Sequence, residues 1–341
     1  MLNVKKLATA AMVTGLMSGT ALAAPYHFNL VDQIQLPGHG GHGDWVEYDP
    51  GNGYVYVSLA DKGVAVVDTA TDKVVQYLPT LDHPEGEAAD ANYVYWALGA
   101  GAGAGKVNQL AVISKATWQV VSTVNTAGTS PDGVQIDAKG GKVFVESDDA
   151  NTVEVYNEGP NPKLQANWSL IPATGSGPDV GMFVPSKNEL FVPDDSLEEV
   201  LDANTGKILR SVDTQVEITA FGGTKGQIYD PVTNDIWVGT TSGGVFIYNA
   251  DTLKPVGHLP AHGSVDQMDY DPKLRIAYAF QGAAKGFDAY NMNTMKPIAF
   301  TTTGVPLTHT GAVDLANHKI YAFAGKTNVL YVYQPIEGAA Q

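Results

Sequence analysis

Apolar and polar positions alternate in short bursts along most of this chain. Tyr54-Val-Tyr-Val-Ser, Tyr93-Val-Tyr-Trp-Ala, Lys142-Val-Phe-Val-Glu, Glu189-Leu-Phe-Val-Pro, Asp235-Ile-Trp-Val-Gly, Ile276-Ala-Tyr-Ala-Phe and Lys319-Ile-Tyr-Ala-Phe are seven copies of one theme. β-Branched and aromatic residues at period two favour strands. A second apolar run follows each copy, often closing on Asp or Asn and a Thr-rich turn, as in GVAVVDTATDK (63–73), EEVLDANTGK (198–207) and GGVFIYNADTLK (243–254). A third short strand comes after the turn, as in VVQYLP (74–79) and PVGHLP (255–260). A fourth precedes each copy, as in WVEYDP (45–50), VQIDAK (134–139) and QIYDP (227–231). No stretch keeps a helical period over a useful length. Four short strands in a unit of about 40–50 residues predict one β-propeller blade, and seven units predict seven blades.

Closure is also written in the pattern. The last unit supplies three strands and stops after YVY (331–333), while LVDQIQLPG (30–38) matches the outer-strand pattern of VVQYLP. The N-terminal strand is therefore expected to complete the last blade and remove an exposed edge. The predicted fold is all-β: a seven-bladed β-propeller of four-stranded antiparallel blades in one domain, residues 24–341. The Gly-Ala run at 99–105 reads as a hairpin loop rather than a phosphate cradle, because no helix follows it.

The recurring "gV-x-V-(I/V)-D-x-x-T-x-K-V-V … P-x-G-V … (K/L)-Y-V" pattern resembles the YVTN-type (YncE-like) seven-bladed propeller family, over nearly all the chain after the leader. The resemblance implies the fold and, since members are mostly exported, an exported protein. It implies no single activity, because related propellers include binding proteins, lactonases and lyases.

Residues 1–23 read as a signal peptide: Lys5 and Lys6, an apolar run of small residues, then the cleavage signal Ala21-Leu22-Ala23. Cleavage near Ala23 predicts a periplasmic or secreted chain, and no other stretch is apolar for long enough to span a membrane. The absence of cysteine leaves the core to hold the fold, and excludes thiol nucleophiles, thiolate metal ligands and attached c-type haem. No nucleotide motif occurs, nor G-x-S-x-G or H-E-x-x-H. The formal net charge is −16, and loss of the two leader lysines makes it more negative. Acidity argues against nucleic acid and anionic membranes, and is compatible with cations, polar small molecules or another periplasmic protein as partner. A closed propeller is expected to be a monomer.

Aligned on the strand that precedes each Tyr/Val burst, one position holds Asp44, Glu85, Asp132, Asp179, Lys225, Asp266 and His309, and two residues earlier stand His42 and His83. These residues are expected to ring one mouth of the central channel. His42, His83 and His309 fall on adjacent blades once the ring closes. With Asp44 and Glu85 they are candidate ligands for a divalent metal, since imidazole and carboxylate are the donors such ions use. The same histidines are candidate acid–base groups, and Asp44, Glu85, Asp132, Asp179, Lys225 and Asp266 are candidate ligand-binding groups. Short polar side chains at a wet channel edge also satisfy backbone groups. The histidines break the repeat and so carry the functional expectation. That expectation is a metal ion or small polar or cationic ligand bound at the mouth; the alternatives are a metal-dependent lactonase or lyase there, or an interaction scaffold without site chemistry. His39 and His262 are placed near the same mouth. His258 and His318 are expected in solvent, and Trp45 and Trp96 between blades.

Overall fold

The computed structural model describes residues 26–59, 62–100, 106–172, 177–214 and 223–338. The leader expected over residues 1–23 and most of the Gly-Ala run lie outside them. Among the described residues no helix is long and apolar enough to cross a membrane. The strands form seven four-stranded antiparallel sheets.

Each blade is a meander running outward from the channel. The first is Val46–Asp49, Tyr54–Ser58, Lys62–Asp68 and Lys73–Asp82. The inner strands of the other six are Pro84–Ala89, Pro131–Asp137, Met182–Val184, Thr224–Asp230, Gln267–Asp271 and Thr310–Asp314. Each inner strand packs on the next, and the seventh packs on the first, so the ring closes.

The Tyr/Val bursts are the second strands. A blade is covered on both faces by its neighbours, so these strands must be apolar on both sides of the pleat. The core therefore sits between blades. One cluster joins Tyr56, Val64 and Val66 of the first blade to Val94, Trp96 and Ala111 of the second, with Tyr56 and Trp96 meeting edge to face at 6.2 Å.

Aspartates at the ends of inner strands fold the turns that follow. Asp49 Oδ1 accepts Gly51 N at 2.8 Å, Asp137 Oδ1 accepts Gly140 N at 2.8 Å and Asp271 Oδ1 accepts Leu274 N at 2.8 Å. This local side-chain-to-backbone bond is the preferred use of Asp in turns.

The N-terminal strand spans Tyr26–Gln35 and pairs antiparallel with Val329–Glu337, from Tyr26↔Glu337 to Gln35↔Val329 with a shift between Leu30 and Asp32. The closure expected from 30–38 is present, and it begins four residues earlier, because its partner strand continues past Tyr333 to Glu337.

Candidate metal centre at the channel mouth

The loop LPGHGGHGDW carries the chain from the last blade to the first inner strand. Its glycines allow two backbones to touch. A Cβ at Gly325 would collide with the Gly41 carbonyl oxygen, and one at Gly43 would collide with the Ser58 carbonyl oxygen and the Phe323 ring. Only glycine fits such close approach. The result sets His42, from the first blade, beside His309, from the seventh: their ring centroids are 4.1 Å apart at a tilt of 34°.

His42, Asp44 and His309 each offer one donor atom, and these atoms all lie within 4.8 Å of one another. Ligands about 2.1 Å from one tetrahedral ion are about 3.4 Å apart, so a small tightening lets all three share an ion. Asp44 Oδ1 sits 2.6 Å from His42 Nδ1. The carboxylate oxygen accepts and Nδ1 donates, which leaves Nε2 as the nitrogen that would face an ion once its own proton is displaced, the usual arrangement for a metal-bound histidine. That hydrogen bond also raises the His42 pKa.

His309 is the unusual member. It is buried, 3% exposed, and neither ring nitrogen has a hydrogen-bond partner. Carbonyls of Leu307 and Gly43 are close enough to favour its protonation slightly, but not in hydrogen-bond geometry. Burial, then the neighbouring His42, push its pKa down to about 4, so the ring is neutral at pH 7 and keeps a lone pair. Asp266 Oδ2 lies 3.6 Å from His309 Nε2, a fourth donor at the edge of reach.

The rest of the predicted ring stands on the other blades of the same mouth. Lys225 pairs with Asp179 and is held cationic chiefly by that aspartate. Glu85 is pushed up to about 9 by burial and then by Asp44. Asp132 is raised by burial, then by Asp179 and Glu85. Asp266 rises to about 6 through burial and Asp179, with Lys225 and His42 opposing. These couplings run across the channel between blades, so one electrostatic unit spans the mouth.

His83 stands apart from the His42–Asp44–His309 group. It occupies a left-handed turn with φ of 46°, and its Nδ1 is 3.4 Å from Asp82 Oδ1. Glu85 contributes through Asp44 rather than as a member of the trio. His39 is exposed and outside the trio. His262 is held by Asp288 at 2.8 Å and stacks on Phe300. His318, expected in solvent, is instead half-buried with Nδ1 2.5 Å from Asp271 Oδ2, because its turn folds against the neighbouring blade.

Trp96 packs between blades as expected, whereas Trp45 lines the channel, its Nε1 donating to Glu47 Oε2 at 3.0 Å. Glu47, Glu87 and Asp269 also line the channel and were not predicted as site residues. Each is a second acid on its inner strand, two residues from Asp49, Glu85 or Asp271. No protein-family model and no curated protein matches this chain.

Proposed function

We propose that this chain is an exported, YVTN-type propeller that binds one divalent transition-metal ion at the channel mouth. His309 and His42 supply nitrogen donors, and Asp44 supplies an oxygen donor or orients His42. The observation that carries the reading is His309: a buried, neutral imidazole with two unpartnered nitrogens. Leaving a buried polar group unpaired costs about 1–3 kcal/mol, and a ligand that takes the lone pair removes that cost. Two imidazoles and a carboxylate fit zinc, manganese, cobalt or ferrous iron rather than calcium. The net charge of −16 adds long-range attraction for a cation. Export is supported by Lys5, Lys6 and the Ala21–Ala23 signal; the family reading rests on the repeated blade pattern.

The test is calorimetric titration of tag-free protein with zinc and manganese. The wild type is expected to bind one ion per chain, and His42→Ala to weaken binding at least ~10-fold. His42 is 60% exposed at its side chain, so its loss leaves the fold intact, and an unchanged melting temperature in the variant confirms that. His309→Ala is expected to weaken binding as much or more. Equal binding by wild type and His42→Ala, or none by the wild type, contradicts the proposal.

A further inference from the structure

The channel continues past the mouth ring as a cavity of about 610 Å³, lined by six of the seven blades. Three exposed prolines, Pro50, Pro185 and Pro231, stand at its far end, where the inner strands finish. No histidine lines it.

Two of its polar lining residues carry buried acceptors without donors. Glu87 is 2% exposed, and neither of its carboxyl oxygens has a hydrogen-bond partner. The Gln227 amide nitrogen is committed to the Phe191 carbonyl at 3.0 Å, while its oxygen is buried and unpartnered. Glu47 takes the Trp45 indole N–H. Asp269 takes the backbone N–H of Tyr270 and of Val313. Lys115, which acts on Glu87 through its charge, is already bound to Asp49 at 2.5 Å and to the Asp90 carbonyl. Buried acceptors in that state call for a ligand that brings N–H donors and positive charge.

The chemistry of that ligand is narrowed by two facts. Among the described residues, the one acid–histidine trio close enough to share a metal ion lies at the mouth, so the cavity carboxylates are too dispersed for a metal cage. The walls between them are apolar, with Met182, Met268 and Ile228, and Trp45 offers an aromatic surface on which a cation can rest. A polar head and an apolar body are both accommodated, in a volume typical of small-molecule sites.

We propose that the cavity binds an organic ammonium ion, an alkyl- or arylalkylamine whose charged head meets Glu87 and Glu47 and whose apolar body lies along Met182 and Met268. This site shares no residue with the metal trio and does not depend on it. Binding is coupled to protons. Glu87 is raised by burial, then by Glu47 and Asp49, with Lys115 opposing. Glu47 is pushed up to about 8 by burial, then by Asp269, with Trp45 opposing and Asp49 adding. Asp269 is pushed up to about 7 by burial and by Asp271, against its two backbone donors. The empty cavity therefore holds protons at neutral pH, and an incoming ammonium expels them. Affinity is expected to rise as pH rises through about 7 to 8 and to fall below.

The probes are phenethylammonium, hexylammonium and spermidine, titrated calorimetrically into the full chain in two buffers of different ionisation enthalpy. At least one is expected to bind one per chain with net proton release, and ~10-fold more tightly than phenethyl alcohol or hexanol, its neutral counterparts. Glu87→Gln and Glu47→Gln keep the shape of the protonated acid, so the fold should persist; each is expected to weaken the amine ~10-fold and leave the alcohols unaffected. His42→Ala should leave amine affinity unchanged, which separates this site from the metal site. The proposal is overturned by no amine binding up to about 1 mM, by alcohol affinity equal to amine affinity, by insensitivity to both glutamine variants, or by loss of binding in His42→Ala.

Discussion

At the residue scale, carboxylates of the same type do three different jobs, set by what surrounds them. Asp49 and Asp137 fold turns. Glu154 is fully buried and satisfied: it accepts Ala127 N at 2.8 Å, Gly128 N at 2.6 Å and Ser147 Oγ at 3.1 Å, and also Tyr156 Oη–H. It pins the loop that leads into the third inner strand. Glu154→Ala strands two backbone donors, and is expected to lower unfolding stability by about 3 kcal/mol in urea titrations; a loss below about 1 kcal/mol would mean the loop is held by other contacts. Glu87 is the third kind, buried without a partner, a state it shares with the imidazole of His309. His42 and His309 were readable because they interrupt an aligned repeat, and Asp44 because it stands at the repeat's acidic position. The placement of His83 was not, because the His-x-acid spacing it shares with His42 says nothing of backbone conformation, and a left-handed turn takes it to Asp82. The role of Glu154 was hidden too, since its partners lie 26 and 27 residues away.

Elements were the most legible level. Period-two apolar runs marked the second strand of every blade, and the match between the N-terminal segment and the outer-strand pattern foretold closure. What the pattern did not set was the strand's start: Tyr26 to Asn29 join it by pairing with Glu337 to Gln334. That strand links the chain's two ends. A chain lacking residues through Gln35 would leave the edge of Val329–Glu337 unpaired. It is expected to melt at lower temperature and to self-associate by light scattering, as exposed edges do. A monomeric truncated chain with unchanged melting would show that the seventh blade does not need its fourth strand.

Over the whole molecule, the acidic balance acts inside as well as outside. Glu47 and Glu146 are pushed up to about 8 and Asp269 to about 7, each chiefly by burial, and Glu198 is raised by burial and by Glu199. A carboxyl whose folded pKa exceeds its unfolded value binds more protons in the folded state over that interval. Stability then falls as pH rises, by up to about 1.4 kcal/mol per pH unit for each group that titrates. Self-repulsion of a chain with net charge −16 works in the same direction. Urea midpoints are expected to be highest near pH 5 and to decline towards pH 8; a flat or rising profile would mean these acids are ionised in the folded state at no cost. Net charge was readable from composition. Which acids are buried was not, because burial depends on how seven blades close around one channel.

The His42–Asp44–His309 trio exists only because that closure sets the first blade against the last, and its proposed hold on a metal ion is tested most directly by diffraction. Crystals soaked in zinc or manganese would be measured at the metal's absorption edge. The account predicts one anomalous peak at bonding distance, about 2.0–2.2 Å, from a nitrogen of His309 and a nitrogen of His42. A fully occupied peak elsewhere, or none at this mouth, would contradict it.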